Sequence, residues 1–127
     1  MKTIVITGST RGIGLGLAGA FLTNGCRVVV NGRTPQSVNR ACQQLAEKHA
    51  PDRIHGFAAT VSDPLQVEAL WQFAVQNMGS VEIWINNAGL SHDTHPFWEL
   101  SADEAQTVIA VNVLGTVYGA QTALRGM

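Results

Sequence analysis

The order of patterns along the chain limits its fold more than any single residue does. Four short runs rich in β-branched residues, Thr3–Thr7, Arg27–Asn31, Arg53–Ala58 and Val81–Asn86, alternate with helical periodicity at Ile13–Asn24, Pro35–His49 and Pro64–Met78. A longer helical stretch, Ala102–Arg125, follows the fourth run. Strand and helix alternating at this spacing predict βαβ units and a parallel sheet. The runs TIVIT and RVVVN are mostly continuous rather than alternating, as in strands covered on both faces. The expected fold class is therefore α/β, a doubly wound parallel sheet, with residues 1–127 as one unit.

The helix ends carry their own signals. Thr34 is placed to cap a helix that has Pro35 at its first position, and Asp63 with Pro64 repeats the arrangement. Ser101 followed by Glu104 fits a capping box. Gly25 and Gly79 stand where helices should stop. Leu90–Leu100 is the one long irregular piece.

Composition excludes several classes of function. Lys+Arg number 8 against Asp+Glu 9, a net charge of −1, which gives no basic footprint for nucleic acid. Cys26 and Cys42 are too few for a disulfide scaffold and lack metal-ligand spacing, so a reducing, cytoplasmic setting is expected. The N-terminal apolar run is too short for a signal peptide. From Ala105 to Leu124 no residue is charged, but Gln106, Thr107, Asn112, Thr116, Gln121 and Thr122 are polar and two glycines dilute the rest. A helix buried on several faces fits this better than a membrane span. Only 13% of residues are charged, against a usual share of about 25%, so part of the outside is expected to be covered by a partner. His92-Asp93-Thr94-His95 has some look of a metal pair, but the loop supplies no cysteine and nothing else converges on it, so no metal is expected.

Between the first strand and the first helix lies Thr7-Gly8-Ser9-Thr10-Arg11-Gly12-Ile13-Gly14. A phosphate needs bare backbone amides, a helix N terminus and no side chains in the way. Gly8 allows the tight exit from the strand, Gly12 the close approach of a ligand, and Gly14 the packing of helix on strand. Gly14, Gly16 and Gly19 also spell G-x-G-x-x-G. That register would leave a long loop and a late helix, so the first is preferred. A turn that only helps packing would need no such position after a buried strand. Dinucleotide binding on a Rossmann-type fold is the expectation.

The motif T-G-x-x-x-G-x-G, together with Asn86-Asn87-Ala88-Gly89 after the fourth strand and Asn112 on the long helix, resembles the short-chain dehydrogenase/reductase family. The resemblance runs from Lys2 to Met127 and implies a nicotinamide-dependent oxidoreductase that interconverts a carbonyl and an alcohol. It implies that Asn87 bridges strand ends while Ala88 and Gly89 let a ribose approach. It also implies that Asn112 perturbs its helix so that its carbonyl can hold a water in a proton relay. The string Glu82–Gly89, with Trp84, is similar to the chlorophyll b reductase branch.

The second strand ends Asn31-Gly32-Arg33-Thr34, without the carboxylate that binds a ribose 2′-hydroxyl in NAD-specific sites. Arg33 and Arg11 are available to bind a 2′-phosphate, so NADPH is expected over NADH. Where the family commonly has an Asp for the adenine, this chain has Thr60, followed by Val61. Adenine contact is expected from these two, more weakly than from an Asp.

The resemblance also implies a catalytic Tyr, a Lys four residues later and an upstream Ser. Tyr118 is the only tyrosine; Thr122 follows at the Lys spacing, and Ser91 and Ser101 come too early. The chain alone is thus expected to hold the cofactor half and lack the acid half. It reads as the front part of a reductase, with a non-catalytic dinucleotide-binding module or an assembly subunit as alternatives. Gly115 and Gly119 offer a small-residue face for close packing. A homodimer or homotetramer through the 102–125 helix is expected.

Overall fold

The computed structural model describes residues 1–91 and 94–127. Its elements are β1 (Thr3–Ile6), α1 (Gly12–Thr23), β2 (Arg27–Gly32), α2 (Pro35–Ala46), β3 (Ile54–Ala58), α3 (Pro64–Met78), β4 (Ile83–Ile85), α4 (Ala102–Ile109), a π-helical turn (Ala110–Leu114) and α5 (Gly115–Gly126). The strands form a parallel sheet in the order β3-β2-β1-β4. The chain therefore steps outward from β1 to β3, then crosses back to place β4 on the other side of β1. Val5 sits in register with Val29 on one side and Trp84 on the other.

The continuous apolar strands have their cause in two cores, one on each face. Ile4, Ile6, Val28 and Val30 point to one side, among Ala18 and Leu22 of α1 and Ala41 and Leu45 of α2. Val5 and Val29 point to the other, among Leu70, Trp71 and Ala74 of α3 and Ala123 of α5. Ile4, Val5 and Ile6 are 0% exposed, each worth roughly 1.5–3 kcal/mol of apolar burial.

The expected caps are present. Thr34 Oγ1 accepts from the Ser37 amide, Asp63 from the Leu65 amide and Ser101 from the Glu104 amide. Pro35 and Pro64 occupy first-turn positions. Gly25 and Gly79 leave their helices at φ of 81° and 85°, which L side chains rarely adopt.

Three boundaries differ from the sequence reading. The second helix ends at Ala46 rather than His49, because the chain must straighten before Pro51. The third strand starts at Ile54 because Pro51–Arg53 form a 3₁₀ turn. From that turn Arg53 Nη1 donates to the Leu22 and Cys26 carbonyls at 2.9 and 3.2 Å, satisfying the end of α1. The fourth strand shrinks from Val81–Asn86 to Ile83–Ile85: the Thr3 amide is bound by the Glu82 carboxylate at 2.6 Å rather than by a strand carbonyl. That bond and one from the Ser80 hydroxyl hold the Glu82 carboxyl below the usual carboxylate range, the Ser80 contribution being the larger.

The long helix is not buried on several faces. Gly115, Gly119, Thr122 and Ala123 are buried, whereas Ile109, Val113, Val117 and Leu124 are 54%, 48%, 41% and 79% exposed. The two glycines face the chain's own sheet. A Cβ on Gly115 would lie 2.8 Å from Val61 Cγ2, and one on Gly119 would collide with the Asn86 and Trp84 side chains. Residues 102–126 are long and apolar enough to cross a membrane by length and composition alone. One face of that helix packs on α3.

Candidate functional site

A cleft of about 540 Å³ opens above the carboxyl ends of β1, β2 and β4. In a doubly wound sheet this is where strand order reverses and ligands sit. Its walls come from the glycine turn, the end of β2 with the start of α2, residues 59–61 after β3, and residues 87–90 after β4.

The glycine turn has the preferred register. Gly8 and Gly12 have φ of 62° and 58°, whereas Gly14 and Gly16 do not reach positive φ. A Cβ on Gly8 would lie 2.7 Å from Ala88 Cα, and one on Gly14 would lie 2.5 Å from Asn87 Nδ2 and 2.6 Å from the Gly8 carbonyl. Gly12 has open space instead. No side chain caps the N terminus of α1, so its first amides are turned toward the cleft without a side-chain acceptor. Bare amides, a helix dipole and open space together form an anion cradle.

The turn is fixed from behind. Thr7 and Ser9, expected to contact a cofactor, do not line the cleft. They are 2% and 0% exposed, and their hydroxyls are spent on structure. Thr7 Oγ1 accepts from the Asn87 and Ala88 amides at 3.0 Å each. Ser9 Oγ donates to the Ile6 carbonyl and accepts from the Asn31 amide. The Asn31 side chain is likewise occupied: Oδ1 accepts from the Gly8 amide at 3.2 Å, while Nδ2 donates to the Phe57 and Ala59 carbonyls. Asn31 therefore ties β1, β2 and β3 together and touches the cleft without a free side-chain group. Asn87 bridges strand ends as expected, its Nδ2 donating to the Thr7 and Gly8 carbonyls at 3.0 Å.

Of the residues expected to contact a cofactor, Gly8, Thr10, Arg11, Gly12, Ile13, Gly14, Arg33, Thr34, Thr60, Val61, Asn87, Ala88 and Gly89 line the cleft. Sequence reasoning missed Gly32, Ser37, Arg40, Ala59, Leu90 and Val111, which also line it. Ser37 and Arg40 stand three apart on α2, a helical spacing that puts them on one edge. That spacing was the available signal. Among the described residues no Asp or Glu lines the cleft. The Thr60 amide donates to Gln66 Oε1 at 2.8 Å, so the hydroxyl is what Thr60 has to offer a ligand.

Asn112 does not line the cleft, although its neighbour Val111 does. It lies in the π-helical turn, so the expected disturbance of the helix is present. Its side chain clasps Leu90, Oδ1 accepting from the Leu90 amide at 2.8 Å and Nδ2 donating to its carbonyl at 2.7 Å. The Asn112 carbonyl accepts from the Thr116 hydroxyl at 3.0 Å.

Phe97 and Trp98 do not line the cleft and are 77% and 84% exposed. The metal reading rested partly on His92 and Asp93, which lie outside the described residues; His95 Nε2 contacts Glu104 Oε2 at 2.9 Å. That contact, above all, lowers the Glu104 carboxyl. Burial raises the Cys42 thiol, which makes it a poor nucleophile.

A family model described as short chain dehydrogenase matches residues 2–127. The chain is 36% identical over 131 residues to a probable chloroplastic chlorophyll(ide) b reductase of Arabidopsis thaliana, covering 91% of this chain and 26% of that protein. It superposes with a TM-score of 0.90 and 27% identity on a 3-ketoacyl-(acyl-carrier-protein) reductase of Brucella melitensis solved with NADH, covering 98% of this chain and 49% of the other. An alcohol dehydrogenase of the archaeon Thermococcus sibiricus, solved with 5-hydroxy-NADP, gives a TM-score of 0.87 at 27% identity, covering 99% and 53%. The chain thus spans about a quarter of the first protein and about half of the other two.

Proposed function

Because the chain belongs to the short-chain dehydrogenase family of oxidoreductases, we propose that it supplies the NADP(H)-binding half of an enzyme interconverting a small-molecule carbonyl and alcohol. The observation that carries this reading is the cleft's chemistry. An uncapped helix N terminus faces open space at Gly12, and Arg11 and Arg33 flank the end of β2 without a lining carboxylate among the described residues.

The fit can be argued residue by residue. The amides at the start of α1 bind the pyrophosphate. Arg33 and Arg11 bind the 2′-phosphate through charge-assisted bonds. Thr60 and Val61 border the adenine, and Ala88 and Gly89 leave room for the nicotinamide ribose. When bound, the nicotinamide supplies or accepts the hydride. The Asn112 carbonyl, which accepts from the Thr116 hydroxyl, holds the relay water in this reading. The exposed stripe of Ile109, Val113 and Val117 is the contact between copies in a homodimer or homotetramer. Cys26 and Cys42 are free thiols, and this reading keeps them in a reducing, cytoplasmic compartment.

Calorimetry of NADPH and NADH against the wild type and Arg33→Ala tests the cofactor reading. Loss of Arg33 should weaken NADPH by roughly 1–3 kcal/mol, toward the low end because Arg33 is exposed, and leave NADH unchanged. Equal loss for both rejects the role. An NADPH-consumption assay on the complete protein across aldehydes, ketones and pigments then identifies the carbonyl.

A further inference from the structure

We propose that Arg40 on α2 is a specificity-determining residue that, with Arg33 and Arg11, selects the cofactor's 2′-phosphate; this rests on the NADP(H) reading above. The wall of the cleft at the end of β2 is made by Gly32, Arg33, Thr34, Ser37 and Arg40, with Arg11 entering from the glycine turn. Gly32 itself has no room for a side chain: a Cβ there would collide with Thr10 Cγ2 and lie 3.3 Å from Ser37 Oγ. Recognition of whatever leaves the ribose at this end therefore falls to Arg33 and to the residues of α2.

The backbone under Arg40 is held firmly. Ser37 is fixed by the Thr34 cap, its amide donating to Thr34 Oγ1 at 3.2 Å. Val38 and Ala41, which flank Arg40 in the helix, are 2% and 1% exposed. The long Arg40 side chain thus reaches the cleft from a rigid base, and its exposed guanidinium is not spent on a carboxylate. The ion pairs among the described residues are His95–Glu104 and Arg125–Glu68. Arg11, Arg33 and Arg40 take part in neither. Three guanidinium groups around one opening that no described acidic residue lines repel one another weakly through solvent. A dianion among them turns that repulsion into attraction. NADPH brings such a dianion to this end of the ribose and NADH does not, so the effect appears in the ratio of the two affinities.

The test is calorimetry on the wild type, Arg40→Ala, Arg40→Lys and Arg33→Ala with NADPH, NADH, adenosine 2′,5′-bisphosphate and 5′-AMP. Arg40→Ala should weaken NADPH and the bisphosphate by about 3- to 10-fold, between an exposed ion pair and a full charge-assisted bond. NADH and 5′-AMP should bind as before, and Arg40→Lys should recover part of the loss. Circular dichroism and a thermal melt confirm that the variants fold. Equal weakening of NADPH and NADH, or no change in either, overturns the role of Arg40. If the wild type prefers NADPH and Arg33→Ala removes that preference while Arg40→Ala does not, only Arg40 is rejected. If the wild type shows no preference, the cofactor reading falls and takes Arg40 with it.

Discussion

Thr7 and Asn87 hold each other twice, the Asn87 amide donating to Thr7 Oγ1 and Asn87 Nδ2 donating to the Thr7 carbonyl, both at 3.0 Å. Eighty positions apart in sequence, they lock the exit of β1 to the exit of β4 and so form the floor of the cleft. Asn87→Ala removes the side-chain half of this clasp and leaves the Thr7 and Gly8 carbonyls without that donor. A loss of about 1–3 kcal/mol is expected, read as a lower urea midpoint at unchanged slope. NADPH affinity should fall with it.

Gly14 and Gly16 separate the two reasons for a glycine. Gly14→Ala drives a Cβ to 2.5 Å from Asn87 Nδ2 and should both destabilise the chain and abolish dinucleotide binding. A Cβ on Gly16 meets nothing within 4 Å. Gly16→Ala should stabilise the chain by about 0.5–1 kcal/mol through helix propensity, seen as a raised Tm with unchanged NADPH affinity. If both variants behave alike, the register of the turn is wrong.

Glu82 makes acid stability readable. Its carboxyl is held below the usual carboxylate range by Ser80 and the Thr3 amide. A depressed folded pKa stabilises the fold above the unfolded value, near about 4.3 for Glu. That stabilisation is lost as pH falls through the folded value. Urea melts from pH 7 downward should show a steeper acid limb for the wild type than for Glu82→Gln. Parallel limbs would remove Glu82 from the account.

Asn112→Ala should free both main-chain groups of Leu90. Hydrogen exchange at the Leu90 amide should then accelerate well beyond the change in global stability. Exchange that tracks global unfolding alone would show that the clasp does not govern the loop.

Val113→Asp places a charge in the middle of the exposed apolar stripe on the long helix. Sedimentation should show a shift from oligomer to monomer. An unchanged oligomer would move the interface elsewhere.

Much of this architecture was legible because its signals are local. The Thr34, Asp63 and Ser101 caps each lie within three residues of the amide they bind. The positive-φ glycines stand beside the helices they end or begin. What escaped depends on separation in sequence. The Glu82–Thr3 bond that shortens β4 spans 79 residues, and no pattern around Val81–Asn86 announces it. Thr7 and Ser9 were misplaced by neighbourhood: residues in and beside the glycine turn were assumed to face a ligand, whereas their side chains turn inward to hold the turn.

The π-helical turn at Ala110–Leu114 gives the long helix a counting rule. Each residue of an α-helix advances its direction by about 100°, and a wide turn absorbs one residue without a matching advance along the helix. Gly115 and Gly119, which meet Val61 and the Asn86 and Trp84 side chains without any room for a Cβ, therefore keep the phase they would have with one residue fewer before them. Deleting one residue between 110 and 114 would close the wide turn into regular α-helix and leave α5 nearly in phase, whereas deleting one between 116 and 118 would rotate the rest of α5, swing Gly119 off β4 and drive a bulkier neighbour into it. The wide turn is thus where the long helix should tolerate loss of a residue, while the regular turns of α5 beyond it should not.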